Sequence, residues 1–395
     1  MSVKVTEILN RNKCTGCGLC LIICPVNCIS MKKDEEGFLY PIIDNNKCIN
    51  CGNCKKKCAI LSQKYLYNNF EEPQYYAAIL RDNDTLKHSS SGGVFIALAK
   101  YVILNGGFVC GCIYNEKMEA IHVISNKIDI INRMMGSKYV QSDITECYSE
   151  IKYKLYNKCK VLFTGTACQI AALKSYLEKD YEELYLVDIL CHGVPSPGLF
   201  KQFVNHLSKR GTILDIKFRD KEKNGWGSEH RTSVLYKDKG KKWLFMPAYF
   251  SAFFYGLSLR ESCYNCKFAR KERISDITIG DYWGSWKKYK KRFTEGISVI
   301  SINTNKGRNI FNKILSNFSF VERLNQEEAI YSNDNFFHPV VRPNERSFFY
   351  KNLNSNYKLF IRTYLAKTYR IKVLKSIYGV IIPEKIRIFI KKIIH

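Results

Sequence analysis

Apolar and polar positions change rhythm several times along the chain. The run Tyr75–Leu80, entered past Pro73, predicts a strand, and Val94, Phe95, Ala97, Leu98, Tyr101 and Val102 recur at helical spacing until Gly106-Gly107 ends the pattern. Phe108–Tyr114 then predicts a strand with Cys110 and Cys112 on one face, where they serve as core thiols. Farther on, Lys160–Thr164 as strand, Ala167–Glu178 as helix and Leu184–Leu190 as strand form a β-α-β unit. A right-handed crossover puts the carboxyl ends of its two parallel strands on one sheet edge. The chain before residue 64 has no run of this kind; its short apolar stretches lie between closely spaced cysteines. From Lys351 onward 11 basic residues and a single acidic one, Glu384, alternate with Tyr, Leu, Phe and Ile, the pattern of basic amphipathic helices.

Composition narrows the class. An apolar share of 46% in 395 residues, with 13% aromatics, is enough to bury several cores and excludes wholesale disorder. Met1–Leu9 has no secretory h-region, and the longest apolar stretch, Val94–Tyr114, is interrupted by Lys100, Asn105, Gly106 and Gly107, so a cytoplasmic location is expected. In a reducing compartment 17 cysteines at tight spacing read as metal ligands or catalytic thiols before they read as disulfides. The formal charge of +26 invites nucleic acid or an anionic lipid surface as partner, but charge alone decides neither.

The sharpest signal is an internal repeat. Cys14, Cys17, Cys20 and Cys24-Pro25 have the spacing C-x2-C-x2-C-x3-C-P, and Cys48, Cys51, Cys54 and Cys58 repeat it with Ala59 in the proline position. Three thiolates two residues apart wrap one iron-sulfur cubane while the fourth reaches the other cluster. The expected ligand sets are therefore Cys14, Cys17, Cys20 with Cys58, and Cys48, Cys51, Cys54 with Cys24. Paired zinc sites are the alternative, although zinc favours two separated pairs of ligands. Cys28 has no counterpart in the repeat and reads as a buried thiol.

A second cysteine set is spread more widely. Cys168 and Cys191 follow the two strands of the β-α-β unit, and Cys263 and Cys266 add a C-x2-C hook. Four converging thiolates suit a third 4Fe-4S cluster; a zinc site or separate core cysteines are the other readings. Ser89-Ser90-Ser91-Gly92-Gly93, ahead of the helix that begins at Val94, has the form of a phosphate cradle, although such caps often bind nothing. Neither G-x-G-x-x-G after a strand nor a P-loop occurs.

Taken in order, Ser91-Gly92-Gly93, Gly136-Ser137-Lys138-Tyr139-Val140-Gln141-Ser142, Gly165-Thr166-Ala167-Cys168-Gln169, Cys191-His192-Gly193, Cys263-x2-Cys266, Ser275-Asp276-Ile277 and Gly280-Asp281-Tyr282-Trp283-Gly284 resemble the family of coenzyme F420 hydrogenase/dehydrogenase beta subunits. The form resembled is the one with an N-terminal two-cluster ferredoxin domain. The resemblance implies FAD beside a 4Fe-4S cluster held by Cys168, Cys191, Cys263 and Cys266. It implies flavin contacts from Ser89, Ser91, Gly92, Gly93, Gly136, Ser137, Lys138, Tyr139, Gln141, Ser142, Thr166 and Gln169. Ala167 stands where the family usually has proline.

The expected fold class is α+β: a ferredoxin-like head over residues 1–63, a linker over 64–74, a mixed α/β core with a flavin region over 75–157 and a third-cluster and substrate region over 158–335, and a helical basic tail over 336–395. The expected activity is electron passage between the head clusters and a flavin that exchanges hydride with an organic substrate or deazaflavin-like cofactor. His192, Asp281 and Tyr282 are the candidates for proton transfer, and Trp226, Trp283 and Trp286 for stacking on a planar ring. Expected partners are a redox protein or small electron carrier and the organic substrate, with peripheral membrane contact open to the tail. Two rivals are a cluster-bearing electron carrier without its own substrate site and a zinc-knuckle nucleic-acid binder; the regular cysteine repeats disfavour the second.

Overall fold

The computed structural model describes residues 10–68, 73–223, 225–227, 231–245, 247–330 and 333–355. The basic tail therefore lies outside the described residues from 356 onward.

The repeat in the sequence becomes a repeat in the backbone. Each cysteine loop leads through a glycine into a one-turn helix, α1 (Leu19–Ile22) after Gly18 and α2 (Asn53–Lys56) after Gly52. Between them lies an antiparallel pair, β1 (Ile29–Lys33) and β2 (Leu39–Ile43), with Met31 opposite Pro41.

Behind the head stands one eight-stranded mixed sheet. Its strands are β3 (Gln74–Leu80), β4 (Phe108–Tyr114), β5 (Ala120–Ser125), β6 (Val161–Gly165), β7 (Leu184–Ile189), β11 (Ile277–Asp281), β12 (Ser298–Ile302) and β13 (Phe318–Leu324). Their order is β13-β3-β12-β11-β7-β6-β4-β5. The neighbours β4, β6, β7 and β11 run parallel, and the outer pairings are antiparallel. The parallel strands are buried on both faces, which explains why they read as unbroken apolar runs in the sequence. A separate three-stranded sheet, β8 (Ile213–Lys217), β9 (Arg231–Tyr236) and β10 (Gly240–Phe245), is antiparallel throughout.

Three apolar clusters hold these layers. One packs helix Val94–Leu104 and helix Asn305–Ile314 on the large sheet through Val94, Leu98, Val102, Ile310 and Phe311. A second gathers Phe200, Phe203, Phe218, Tyr249 and Phe250, with Phe203 stacked on Tyr249 at 5.0 Å between ring centroids. The third joins head to core, because Leu19, Ala59 and Leu66 belong to the same buried group as Ile151, Phe163, Ile170 and Leu186. Each such side chain contributes about 1.5–3 kcal/mol on full burial.

Polar contacts reinforce that junction. Arg346, itself buried, grips Glu36 of the head at 2.8 Å and Glu261 of the core at 2.7 Å. The supposed linker is anchored where it is described: Asn68 N donates to Arg273 O at 2.7 Å and Asn68 Nδ2 to Ser275 O at 2.9 Å. The first part of the segment read as a helical basic tail packs on the body, with Phe349, Tyr350 and Leu353 of helix Arg346–Ser355 buried in the second cluster. Among the described residues no helix is long and apolar enough to cross a membrane.

Candidate functional site

The head's eight repeat cysteines gather in two adjoining neighbourhoods. Burial, then repulsion from Cys17 and Cys14, pushes the Cys58 thiol up to about 12, so the last cysteine of the second loop sits with the first loop's set. Cys20 is raised by burial and by Cys17, Cys14 and Cys58, and also by Cys54 of the second loop, so the two neighbourhoods touch. Conversely, Cys24 lines a pocket together with Cys48, Cys51 and Cys54, beside Ile43 and Ile49. Cys28 lines the same pocket with its sulfur 3.4 Å from that of Cys24. The outer pocket reaches solvent, since Cys51 is exposed and Ile49 keeps 61% of its surface.

The third set forms at the carboxyl edge of the parallel strands. Helix Ala167–Leu177 starts with a capping box, in which Thr166 and Gln169 each satisfy the other's backbone N–H. This fixes Cys168 in the first turn, with its sulfur 3.1 Å from Thr166 Oγ1. Gly193 N donates to Cys191 Sγ at 3.3 Å and Val194 N to Cys263 Sγ at 3.5 Å. Burial and then the neighbouring thiols Cys263, Cys168 and Cys266 raise Cys191; burial, then among other contacts Cys266 and Cys263, pushes Cys168 up to about 12. Half-buried thiols that repel one another resist ionisation until a cation supplies positive charge, which is the chemistry of a metal-cluster ligand set. Among the described residues no three Cys, His, Asp or Glu side chains are drawn together around a single metal ion; the donor chemistry, four thiols, is the part that fits a cluster.

The inner head set and the third set are neighbours. Cys17 is among the groups that raise Cys168, and both pack on the cluster that joins head to core. Tyr148, which nothing in the sequence singled out, lies between them: its hydroxyl donates to Cys17 O at 3.0 Å, and Cys17 and Cys168 are both among the charges it feels. Only the topology brings this tyrosine to the two sets.

A second pocket opens where the two predicted flavin loops meet. Its charged and polar lining is Lys87, His88, Ser90, Ser137, Lys138, Asp215, Lys217, Arg219 and Asp220, and Ser137 N donates to Ser90 Oγ at 2.7 Å. Burial pushes the Lys138 ammonium down to about 8 while it donates to Met135 O at 2.7 Å. Tyr139 lies behind it, 4.7 Å from the Phe253 ring, and its hydroxyl accepts from Arg219 at 3.2 Å.

Other predicted contacts are engaged within the protein. Ser89 Oγ donates to Thr85 O at 3.1 Å and Ser91 Oγ to Ile297 O at 3.0 Å. The expected cradle at Gly92 is closed: its N–H is taken by Ser298 Oγ at 2.9 Å, and a Cβ there would lie 2.1 Å from Ala78 O. Gly93 likewise packs on Leu80. Gln141 donates to Thr15 O at 3.0 Å in the head, and Gln169 Nε2 donates to Ser142 Oγ at 3.0 Å.

The three proton-transfer candidates have different surroundings. Asp281 Oδ2 accepts from Arg219 at 3.1 Å and its Oδ1 from Trp226 Nε1 at 3.2 Å. The Arg219 guanidinium also lies over the rings of Trp226 and Trp283, at 5.3 and 5.1 Å. Tyr282 is buried in the apolar cluster under the sheet, its ring 6.1 Å from Tyr289. His192 stands edge-on to Phe253 at 5.2 Å; its Nε2 is buried without a hydrogen-bond partner among the described residues, and burial lowers its basicity. Of the tryptophans expected to stack, Trp226 and Trp283 meet at 4.9 Å and Trp286 is exposed.

Comparison with known proteins agrees with this division. The family described as coenzyme F420 hydrogenase/dehydrogenase, C terminus of the beta subunit, matches residues 159–324, and the 4Fe-4S dicluster domain matches residues 13–60. The F subunit of F(420)H(2) dehydrogenase from Methanosarcina mazei is 23% identical over 206 residues, which cover 48% of this chain and 56% of that protein. Coenzyme F420-dependent sulfite reductase of Methanocaldococcus jannaschii is 25% identical over 324 residues, covering 79% of this chain and 47% of that protein. The chain thus spans about half the length of the curated relatives it matches. A chain of the F420-reducing NiFe hydrogenase complex from Methanosarcina barkeri, solved with xenon, aligns with a TM-score of 0.45 at 16% identity, covering 78% of this chain and 94% of that one. Residues 159–324 belong to the C-terminal family of coenzyme F420 hydrogenase/dehydrogenase beta subunits, and residues 13–60 ahead of them are a 4Fe-4S dicluster domain.

Proposed function

We propose that the chain is an iron-sulfur flavoprotein oxidoreductase that moves electrons between a partner at its head and an organic substrate at its core. The observation that carries this reading is that Cys168, Cys191 and the Cys263/Cys266 hook, from three segments, come to one region: Cys168 and Cys266 pack with Cys17 of the head on one apolar cluster, and the loop after Cys191 donates to Cys263 Sγ. When bound, 4Fe-4S clusters supply one-electron transfer, and a flavin couples it to hydride exchange. The names of the two curated relatives support coenzyme F420 as the organic partner.

In this reading Cys14, Cys17, Cys20 and Cys58 hold the inner head cluster, Cys24, Cys48, Cys51 and Cys54 the outer one, and the third thiol set the core cluster. Gly193 and Val194 direct N–H groups at ligand sulfurs, which favours their charged form. Lys87, Lys138, Lys217 and Arg219 outnumber Asp215 and Asp220 in the pocket, and with Ser90 and Ser137 they give it donors and a net positive charge suited to the phosphates of a flavin. Asp281 orients Arg219 toward it, while His192, kept neutral by burial with one ring nitrogen unengaged, is the residue suited to accept a proton. The electron partner meets the outer set, where Cys51 is exposed.

Anaerobic purification tests the reading. It predicts iron and sulfide for three clusters, a broad absorption near ~400 nm and bound flavin. Clusters without flavin support instead an electron carrier with no substrate site; zinc in place of iron refutes both.

A further inference from the structure

We infer that Arg260 sets the reduction potential of the inner head cluster from across the junction between core and head. The inference rests on the reading of Cys14, Cys17, Cys20 and Cys58 as a cluster site.

Arg260 belongs to the core, three residues before Cys263, yet its guanidinium lies in the head. Its Nε donates to Cys14 O at 2.7 Å, its Nη2 to Leu39 O at 2.9 Å and to Cys14 Sγ at 3.7 Å, and its Nη1 to Gln141 Oε1 at 3.0 Å. The plane rests on the Tyr40 ring at 4.1 Å. Gly16, at φ +68, leaves the other space it needs: a Cβ there would lie 2.6 Å from Nη1. Only a residue without a side chain lets the loop that carries Cys14 and Cys17 lie flat on the guanidinium.

The side chain is fully buried, with none of its surface left to solvent. Among the described residues its hydrogen-bond acceptors are carbonyls, an amide and a thiol, and no carboxylate pairs with it. A buried cation with no anion is costly, and an arginine does not neutralise itself by losing its proton. The missing negative charge is supplied by the four thiolates and the cluster they hold, which carries about −2 when oxidised and one more on reduction. A fixed positive charge and an N–H donated to a ligand sulfur both stabilise the more negative, reduced form. Arg260 therefore raises the potential of the inner cluster and draws electrons toward the junction with the core set.

The test is a redox titration followed by EPR on the full chain, purified anaerobically, as wild type, Arg260→Gln and Arg260→Lys, with iron and sulfide measured on each. Gln keeps a donor without the charge; Lys keeps the charge without the fork. The expected result is one cluster in Arg260→Gln harder to reduce by tenfold or more in the equilibrium, about 59 mV for a one-electron step, with the outer head cluster unmoved, the core cluster shifted less because Arg260 also lies near Cys263, and Arg260→Lys in between. If Gln costs the inner cluster altogether, Arg260→Lys carries the comparison, and its largest fall in potential must still be on the inner cluster. Fully loaded variants with wild-type potentials overturn the inference and leave the cluster reading standing. Wild-type protein without iron overturns both.

Discussion

Replacing Gly92 with alanine separates two roles for the Ser91-Gly92-Gly93 segment, a phosphate cradle or a packing joint on the sheet. The added Cβ would lie 2.1 Å from Ala78 O and 2.7 Å from Ser298 N, so the neighbours that must move are the backbones of β3 and β12. Overpacking of that kind costs about 1–3 kcal/mol. Lifting the loop also strains two hydrogen bonds, Gly92 N to Ser298 Oγ at 2.9 Å and Leu80 N to Gly92 O at 2.8 Å, each worth about 0.5–1.5 kcal/mol. The sum, about 2–6 kcal/mol, corresponds to a melting point lower by roughly 4 °C or more. Scanning calorimetry on cofactor-free protein measures it directly, because no bound flavin then contributes. A variant that melts with the wild type yet fails to bind flavin would refute the packing argument and restore the cradle.

Four further outcomes follow from the same geometry. Cys191→Ser or Cys263→Ser should lose about a third of the iron while the head's EPR signals persist; loss of all iron would show that the third set does not fill separately. Thr166→Val removes the capping box ahead of Cys168 and should cost about 1 kcal/mol in denaturant unfolding, with unchanged midpoints counting against it. Tyr148→Phe deletes the bond to Cys17 O and should destabilise by about 1 kcal/mol, without lowering iron content in chemical assay. Burial holds the Lys221 ammonium down to about 7, against an ordinary 10.5, while it donates to Ser91 O and Glu295 O at 2.8 Å. Between those values the unfolded chain binds a proton the native one does not, so stability should rise as pH climbs from 7 toward 10. Lys221→Met should lack that rise in denaturant midpoints taken at pH 7 and 9, and parallel curves would contradict it.

The sequence made some of these features legible and hid others. Cys14 to Cys58 could be read because a loop around a cluster needs its thiols at short fixed intervals, and the neighbourhood of Cys58 follows that spacing. The Lys160–Leu190 unit was legible for a similar reason: its periodicity and the handedness of the crossover bring Cys168 and Cys191 to one edge. Residues whose role depends on distant contacts carried no such mark. Arg260, Tyr148 and Arg346 look like ordinary charged or aromatic positions until the head folds back on the core. Gly92 gave a true signal, the need for a bare backbone, but steric approach of two strands and approach of a phosphate ask for the same residue. Gln141, Ser142 and Gln169 are grouped by motif with a ligand, and their side chains also tie the Cys14 loop and the Cys168 helix together, a contact no local spacing announces.

The position of β3 has a consequence for how the molecule is made. That strand follows the head directly, but its partners are β12 and β13, near the other end of the core. Pairing at such contact order is slow, and during synthesis it must wait for most of the chain to emerge. The head, finished by Ser62, meets no such delay. Arg260, which comes with the core, closes over Cys14, so if the first loop holds a cluster, iron delivery there is expected before head and core dock.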